Sequence, residues 1–274
     1  MKIGIVGMGM VGSAYKEALT RKGFELATYD KFNHNYHEDF QVIESTDAVF
    51  LCLPTIPKED GRLDITPILE VMYKLHEIKY KGLIILKSTV LPGTTKELRK
   101  TYKLNIVHSP EYLAESTAVY NVLNPERIVL GVPDNKVNTD LFYKLHYVFT
   151  TPITKVDSNT SEFSKFMENT FFATKVTFAN EMNEIAQIYK ADYDTAKDIL
   201  YKCSMIGNNH LKINKNRNYG GHCLPKDTNQ LITDLEINHG VKPLLLKKVQ
   251  EINKRDTKLF NKSDVEALQF KGRR

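Results

Sequence analysis

A ten-residue stretch near the start of the chain, Ile3-Gly4-Ile5-Val6-Gly7-Met8-Gly9-Met10-Val11-Gly12, decides the fold. Its first four residues predict a buried strand, and a helical pattern with Ala14, Ala18 and Leu19 follows Gly12 directly. In such an arrangement the first glycine makes the tight turn, the second lets the backbone approach a pyrophosphate, and the third lets the helix pack on the strand. The stretch therefore predicts a dinucleotide site at the N-terminus of that helix, contacted by Gly7, Gly9, Met10, Val11 and Gly12.

An acidic residue stands where the ribose of the dinucleotide is expected. Asp30 follows the second predicted strand, residues 26–29. Its carboxylate would accept hydrogen bonds from the ribose hydroxyls and would repel a 2′-phosphate, so NAD is favoured over NADP. The neighbouring cation, Lys31, weakens this preference slightly.

The period of the apolar residues divides the chain. Short β-rich runs alternate with helical or loop stretches at residues 3–6, 26–29, 48–53, 83–86, 106–108 and 128–132, which predicts a parallel α/β sheet of the Rossmann type. Residues 161–189 contain no Gly or Pro and predict one long helix, preceded by capping residues at 157–160. We therefore expect an α/β NAD-binding domain over residues 1–156, an all-helical domain over residues 157–262 and a basic tail over residues 263–274.

Composition and charge exclude several classes of protein. With 274 residues, of which 42% are hydrophobic, the chain can bury a core. A net charge of +5 is too small to indicate nucleic-acid binding. The apolar runs are shorter than the roughly 20 residues that a membrane helix needs, and three irregularly spaced cysteines fit a reducing compartment. We expect a cytoplasmic protein without a metal site, a membrane segment or a nucleic-acid partner.

A second informative stretch surrounds Cys223, which follows two glycines and precedes a predicted helix. Pro225 suits a first helical turn, so Cys223 is expected at or just before a helix N-terminus. The helix dipole and the nearby Lys226 would there stabilise a thiolate. Since a lone cysteine is more often an inert core residue than a nucleophile, these local features leave the two interpretations about equal.

Six motifs occur in a fixed order along the chain: Gly7-x-Gly9-x-x-Gly12, Pro54-Thr55, Ser88 to Thr95, Ser109 to Glu115, Lys165 with Asn169, and Gly220 to Asp227. In order and spacing this set resembles the UDP-glucose/GDP-mannose dehydrogenase family from residue 1 to about residue 260. Each motif alone is weak, whereas the combination is highly specific.

The resemblance implies an NAD-dependent oxidation of a sugar primary alcohol, UDP-glucose-like, to a carboxylate, with two NAD and one water, through a thioester on Cys223. Lys165 and Asn169, four residues apart and so on one helix face, would stabilise the oxyanion. Glu111 and Asp227 would move protons. By similarity, Glu111 serves as acid/base in thioester hydrolysis, with Thr89 holding the water.

We also expect binding roles for residues in and around these motifs. The expected cofactor contacts, besides the glycine turn, are Asp30, Lys31, Pro54, Thr55, Thr89 and Glu115. The expected substrate contacts are Tyr112, Leu113, Lys165, Asn169, Tyr219, Gly220, Gly221 and Arg217.

The chain departs from the family's pattern in two places. Family members normally continue into a third, Rossmann-like domain that holds the nucleotide of the substrate, and we expect that domain to be missing here. The family's arginine, lent by a neighbouring subunit, is replaced by Met205, and Arg217 is a possible substitute. Both changes affect substrate recognition, so the reaction type is better supported than the substrate.

Two other functions stay open. A single-step dehydrogenase of the 6-phosphogluconate or 3-hydroxyacid type shares the two-domain plan and a helical Lys-x-x-x-Asn pattern, but it does not need a cysteine. The other possibility is a non-catalytic NAD-binding protein, or one that works only when a partner supplies the missing domain.

The predicted long helix carries many apolar residues, among them Phe171, Phe172, Phe178 and Met182. One sheet domain could not cover them all, so we expect a homodimer built on this helix. The alternative is that the C-terminal helices alone bury that face.

Overall fold

The computed structural model describes residues 1–33, 35–36, 39–204, 206–207, 210–214, 218–221 and 223–260, with side chains as far as Arg255. Within these residues seven strands, β1 to β7, span Lys2–Val6, Glu25–Tyr29, Ala48–Leu51, Leu83–Leu86, Ile106–His108, Ile128–Val132 and Ile153–Asp157. The described residues also form nine α-helices, α1 to α9, which span Met10–Arg21, Thr66–Glu77, Thr94–Tyr102, Ala118–Leu123, Asp140–His146, Ser158–Ile188, Tyr193–Tyr201, Cys223–Asn238 and Leu244–Phe260. An α/β domain followed by helices confirms the predicted fold class.

The strands form one sheet in the order β2-β1-β3-β4-β5-β6-β7. Neighbours are parallel except β5 and β6, which pair antiparallel at His108 and Gly131. The prediction of a parallel sheet is therefore wrong for this pair, and β7 lies beyond the predicted strands. Side chains alternate between the two faces whichever way a strand runs, so the apolar pattern does not reveal the direction of pairing.

Apolar side chains cover both faces of the sheet, which explains the uninterrupted apolar runs in β3 and β4. Alternate residues of these strands enter different cores. Val49, Leu51, Ile84 and Leu86 lie in one core, and Ala48, Phe50, Leu83 and Ile85 lie in the other. Because β1, β3 and β4 are parallel, their carboxyl ends meet at one edge, where the glycine turn, Cys52 and Lys87 follow.

The chain divides into two compact units. The first comprises Met1–Lys58 and Leu63–Lys165, and the second comprises Glu59–Arg62 and the chain from Phe166 onward. The boundary predicted after residue 156 stays a prediction.

The long helix α6 begins in the first unit and continues into the second. As its capping sequence predicts, Asp157 Oδ1 accepts hydrogen bonds from the backbone N–H groups of Asn159 (3.1 Å) and Thr160 (3.3 Å). Within the first unit, buried Glu162 accepts hydrogen bonds from the backbone N–H groups of Gly93 (2.6 Å) and Thr95 (2.8 Å) at the start of α3. The first turns of α6 are thereby fixed to the sheet domain.

The short segment Glu59–Arg62 groups with the second unit although first-unit residues flank it on both sides. Asn229 Nδ2 of α8 donates to the Gly61 carbonyl (3.3 Å). A Cβ on Gly61, where φ is +84°, would lie 2.7 Å from Asn229 Nδ2 and 2.7 Å from Thr233 Oγ1. Glycine is required here both for the left-handed backbone and for the close approach.

No helix among the described residues combines the length and apolar character needed to cross a membrane.

Candidate functional site

The glycine turn between β1 and α1 gives each of its three glycines a different role. Gly7 has φ of +90°, and a Cβ on it would lie 2.5 Å from the Cys52 carbonyl oxygen. A Cβ on Gly12 would lie 1.9 Å from the Gly7 carbonyl oxygen, so Gly12 lets α1 pack against the turn. A Cβ on Gly9, the N-cap of α1, would meet nothing within 4 Å. This open space before the unpaired N–H groups of α1 fits the pyrophosphate of a dinucleotide.

Asp30, at the end of β2, is tied to the same turn. Its Oδ2 accepts a hydrogen bond from the Met8 backbone N–H (2.7 Å), and its Oδ1 accepts from the N–H groups of Phe32 (2.9 Å) and Asn33 (3.0 Å). The remaining lone pairs of the carboxylate can accept from ribose hydroxyls. Lys31 is paired with Glu70 (Nζ to Oε2 2.9 Å), which offsets the positive charge beside this site.

The other expected cofactor contacts lie in the first unit as well. Pro54 is exposed, Thr55 is buried and Thr89 is half-buried, and Ser88 links the ends of β3 and β4 by accepting from the Leu53 N–H (3.0 Å). Glu115 is exposed in the short 3-10 helix Glu115–Thr117.

Glu111 and Lys165 form a buried ion pair in the first unit. Lys165 Nζ of α6 lies 3.2 Å from Glu111 Oε1, and the side chains are 7% and 10% exposed. Glu111 Oε2 accepts a hydrogen bond from the Leu113 backbone N–H (2.9 Å). The carboxylate is thus oriented through both oxygens.

Tyr112 lies beside this ion pair. Its hydroxyl is 2.9 Å from Ser164 Oγ, the Lys165 ammonium lies 5.3 Å from its ring centroid, and the Arg127 guanidinium lies 3.8 Å from the centroid. Two cations lie over one aromatic ring, which fixes the position of Tyr112.

Lys87, directly after β4, is a buried cation that the sequence analysis missed. It is 4% exposed, and its Nζ donates to Ser109 Oγ (3.3 Å) and to the Pro110 carbonyl oxygen (3.4 Å). Burial lowers the pKa of Lys87 to about 8. A lysine at the end of an apolar strand, immediately before the Ser88-Thr89 motif, is the signal that could have found it.

A second polar cluster lies in the second unit, around the start of α8. Asp227 is fully buried, and its carboxylate accepts a hydrogen bond from Asn169 Nδ2 and pairs with Lys226 Nζ. As predicted, Cys223 lies at a helix N-terminus, as the first residue of α8, and it is exposed. The Cys223 thiol thus lies one helical turn before the Asp227 carboxylate. The Asn169 amide and the Lys226 ammonium hold that carboxylate in place.

The expected substrate contacts before α8 are only partly described. Tyr219 is buried with Ala173 and Val249, and its backbone N–H donates to Asn253 Oδ1 (2.8 Å). Gly220 and Gly221 are exposed. The residues Met205, Arg217 and His222, like the predicted basic tail, lie outside the described residues.

The half-buried Cys52, at the end of β3, differs from Cys223. Burial raises the pKa of its thiol to about 12, although the Lys87 charge opposes this shift. A thiol with a raised pKa is a poor nucleophile at neutral pH, so Cys52 does not fit that role.

Comparison with known protein families gives two matches along the chain. Residues 31–150 match the NAD binding domain of the UDP-glucose/GDP-mannose dehydrogenase family, and residues 159–255 match its central domain. The chain belongs to this family. The family's cofactor, NAD, agrees with the preference inferred from Asp30.

Two curated relatives agree with the family, and a solved structure agrees with the fold. A UDP-glucose 6-dehydrogenase from Rickettsia felis is 32% identical over 82% of this chain and 50% of its own length. The UDP-glucose 6-dehydrogenase YwqF from Bacillus subtilis is 30% identical over 77% of this chain and 49% of its own length. The structure of a UDP-glucose dehydrogenase from Pyrobaculum islandicum superimposes with a TM-score of 0.85 at 22% identity, covering 93% of this chain and 68% of that one. The chain thus spans about half the length of these two curated relatives.

Proposed function

We propose that the chain carries the catalytic core of an NAD-dependent nucleotide-sugar 6-dehydrogenase that forms a thioester on Cys223. One observation carries the proposal: an exposed cysteine begins α8, one turn before buried Asp227, in a member of a nucleotide-sugar dehydrogenase family. The names of the Rickettsia felis and Bacillus subtilis relatives support UDP-glucose as the substrate.

The proposed reaction has three bond-changing stages. In the first oxidation the primary hydroxyl loses its proton to a base and its carbon loses a hydride, which leaves an aldehyde. The Cys223 thiolate adds to the aldehyde carbon, and the resulting thiohemiacetal oxyanion loses a second hydride to become a thioester. Water then cleaves the carbon–sulfur bond, giving the carboxylate and restoring the thiol. When bound, NAD supplies the hydride acceptor in both oxidations.

Residues of this chain would handle the charge and the protons. Asn169 donates one amide hydrogen to Asp227 and has a second for an oxyanion, and Lys165, four residues earlier on α6, adds a positive charge. Glu111, which is oriented by Lys165 and the Leu113 N–H, would take a proton from the attacking water, and Thr89, three residues after β4, would hold that water.

The thioester explains why the enzyme would need a cysteine. A covalent thiohemiacetal keeps the reactive aldehyde from diffusing away and presents a tetrahedral carbon for the second hydride transfer. A single-step dehydrogenase releases its carbonyl product and has no use for an exposed thiol there.

The test counts NADH formed for each sugar consumed. Purified protein given UDP-glucose and related nucleotide sugars should form two NADH per sugar, whereas a ratio of one would indicate the single-step reaction. NAD binding measured by calorimetry, with no turnover on any nucleotide sugar, would indicate the non-catalytic alternative.

The variant Cys223→Ser tests the role of the cysteine sulfur. It should bind NAD as the wild type does and form no carboxylate, because a serine hydroxyl at neutral pH is a far weaker nucleophile than a thiolate. The half-buried Cys203 provides the matched control, Cys203→Ser, which should keep activity. Full acid formation by Cys223→Ser would rule out the thioester.

A homodimer built on α6 is part of the proposal. A stripe of apolar side chains on this helix is exposed: Phe163, Met167, Phe171, Phe178, Met182 and Ile185. Met167 is 63% exposed and Phe171 59%, so the described part of the chain does not bury this stripe. Contiguous exposed apolar surface of this kind favours association with a second copy.

A further inference from the structure

Lys87 stands out because it is a cation buried at the end of an apolar strand. It follows the fully apolar β4, its backbone N–H continues the sheet by donating to the Leu51 carbonyl (3.0 Å), and its ammonium lies 4.8 Å from the centroid of the Tyr15 ring. Burying a charged group is costly unless the group is paired. The charge of Lys87 is therefore expected to have a specific role at this position.

The hydrogen bonds of Lys87 reach the backbone that carries Glu111. The Pro110 carbonyl, which accepts from Lys87 Nζ at 3.4 Å, belongs to the peptide group that joins Pro110 to Glu111. Ser109, the second acceptor, is itself held to the sheet because its N–H donates to the Leu86 carbonyl (2.9 Å). Lys87 thus fixes the orientation of the peptide plane from which the Glu111 side chain departs.

We propose that Lys87 is a positioning residue for Glu111. It holds the segment Ser109 to Glu111 against the end of β4 and supplies a second positive charge near the Glu111–Lys165 pair, which keeps the carboxylate correctly oriented. This inference rests on the proposed function, in which Glu111 activates the water that hydrolyses the thioester.

The surroundings determine how Lys87 should respond to pH. Burial lowers its pKa to about 8, with a smaller contribution from Lys165, while Cys52 and Glu111 act in the opposite direction. The titratable groups around it are Tyr15 of α1, Cys52 after β3, His108 of β5, Glu111 after β5, His146 of α5 and Lys165 of α6. Burial lowers the pKa of His146 to about 3, so this imidazole is neutral near pH 8. Burial raises the pKa of Tyr15 and lowers that of His108 to about 3, so both are neutral near pH 8. Lys87 should therefore be charged below about pH 8 and neutral above it.

The kinetic test separates hydrolysis from the oxidations. In Lys87→Met, a rapid first burst of NADH should persist, while steady-state turnover falls by about tenfold or more, as expected when a general base loses its alignment. Wild-type turnover should fall above about pH 8, where Lys87 loses its charge, and this fall should be absent in Lys87→Met. Wild-type turnover and an unchanged pH profile in Lys87→Met would overturn the proposal.

A double-mutant cycle shows whether Lys87 acts through Glu111. In a Glu111→Gln background, Lys87→Met should cause no further loss of turnover, whereas a purely structural role would give additive losses. Lys74 supplies the control because its ammonium also lies over aromatic rings, those of Tyr29 and Phe40, in the same unit. Lys74→Met should leave the pH profile unchanged.

A measurement without substrate keeps this inference separate from the proposed function. In wild-type protein with 13C-labelled glutamate carboxyl groups, the Glu111 resonance should shift as Lys87 titrates near pH 8. A Glu111 resonance insensitive to pH around 8 would overturn the proposal, whereas absence of turnover on every nucleotide sugar would overturn only the proposed function.

Discussion

At the scale of single residues, Gly9 and Gly12 offer a paired experiment in one turn. A methyl group on Gly9 would meet nothing within 4 Å, whereas one on Gly12 would collide with the Gly7 carbonyl oxygen at 1.9 Å. Gly9→Ala should therefore fold normally and lose NAD affinity by about tenfold or more, because the methyl group occupies space needed by the pyrophosphate.

Gly12→Ala serves as the contrast to Gly9→Ala. Its backbone collision should lower the free energy of unfolding by about 2 kcal/mol or more, through displacement of α1. Thermal unfolding and calorimetric NAD titration would distinguish the two effects. Equal NAD affinity in Gly9→Ala and wild type would contradict the placement of the pyrophosphate.

Lys87 also gives a pH dependence of stability. Its pKa is about 8 in the folded protein against an ordinary value of 10.5, so between these pH values the unfolded state binds the additional proton. Raising the pH from 8 to 10.5 therefore favours the folded state, by up to about 3 kcal/mol from this group. In urea unfolding at about pH 7, 8.5 and 10, wild type should gain stability relative to Lys87→Met as the pH rises. A pH-independent difference would contradict this expectation.

At the scale of elements, Glu162 links α6 to α3. Helix α3 begins after Gly93, which has φ of +101° and no side chain to cap the helix, and Glu162 accepts from its first N–H groups instead. Burial raises the pKa of Glu162, while the hydrogen bonds from Thr95 and Gly93 oppose this shift.

Glu162→Gln should cost about 1 to 3 kcal/mol of unfolding free energy, because the amide places a donor where a second acceptor is needed. Hydrogen exchange should quicken at the Gly93 and Thr95 amides. Exposed Glu181, further along α6, gives the control Glu181→Gln, which should change neither quantity. Unchanged amide exchange in Glu162→Gln would show that the cap is dispensable.

The glycine turn, the strands and the long helix could be predicted because each is specified by residues close together in the sequence. The observed α6, Ser158–Ile188, lies within three residues of the predicted bounds of 161–189. Lys87 and Glu162 were missed because their partners, at Ser109 to Pro110 and at Gly93 to Thr95, are far away in the chain. The direction of the β5–β6 pair depends likewise on packing between distant segments.

At the scale of the whole molecule, the exposed stripe of α6 leads to a prediction about assembly. Phe171→Asp should convert a dimer into a monomer, because a buried unpaired carboxylate is costly at an apolar interface. Sedimentation velocity of wild type and variant would measure this. Tyr147→Asp, at a side chain 88% exposed in the first unit, is the control and should leave the dimer intact. A monomeric wild type would contradict the prediction.

The segment Glu59–Arg62 makes the chain pass between the two units three times rather than once. A fragment that stops after Lys165 would deprive Gly61 of Asn229 and Thr233, and a fragment beginning at Phe166 would leave those two side chains without their glycine. Cutting the chain between Lys165 and Phe166 therefore removes native contacts from both fragments. Proteolytic cleavage between Lys58 and Leu63 would instead cut only this segment and leave the sheet intact. The rate of that cleavage would therefore report how stably the segment is bound to α8.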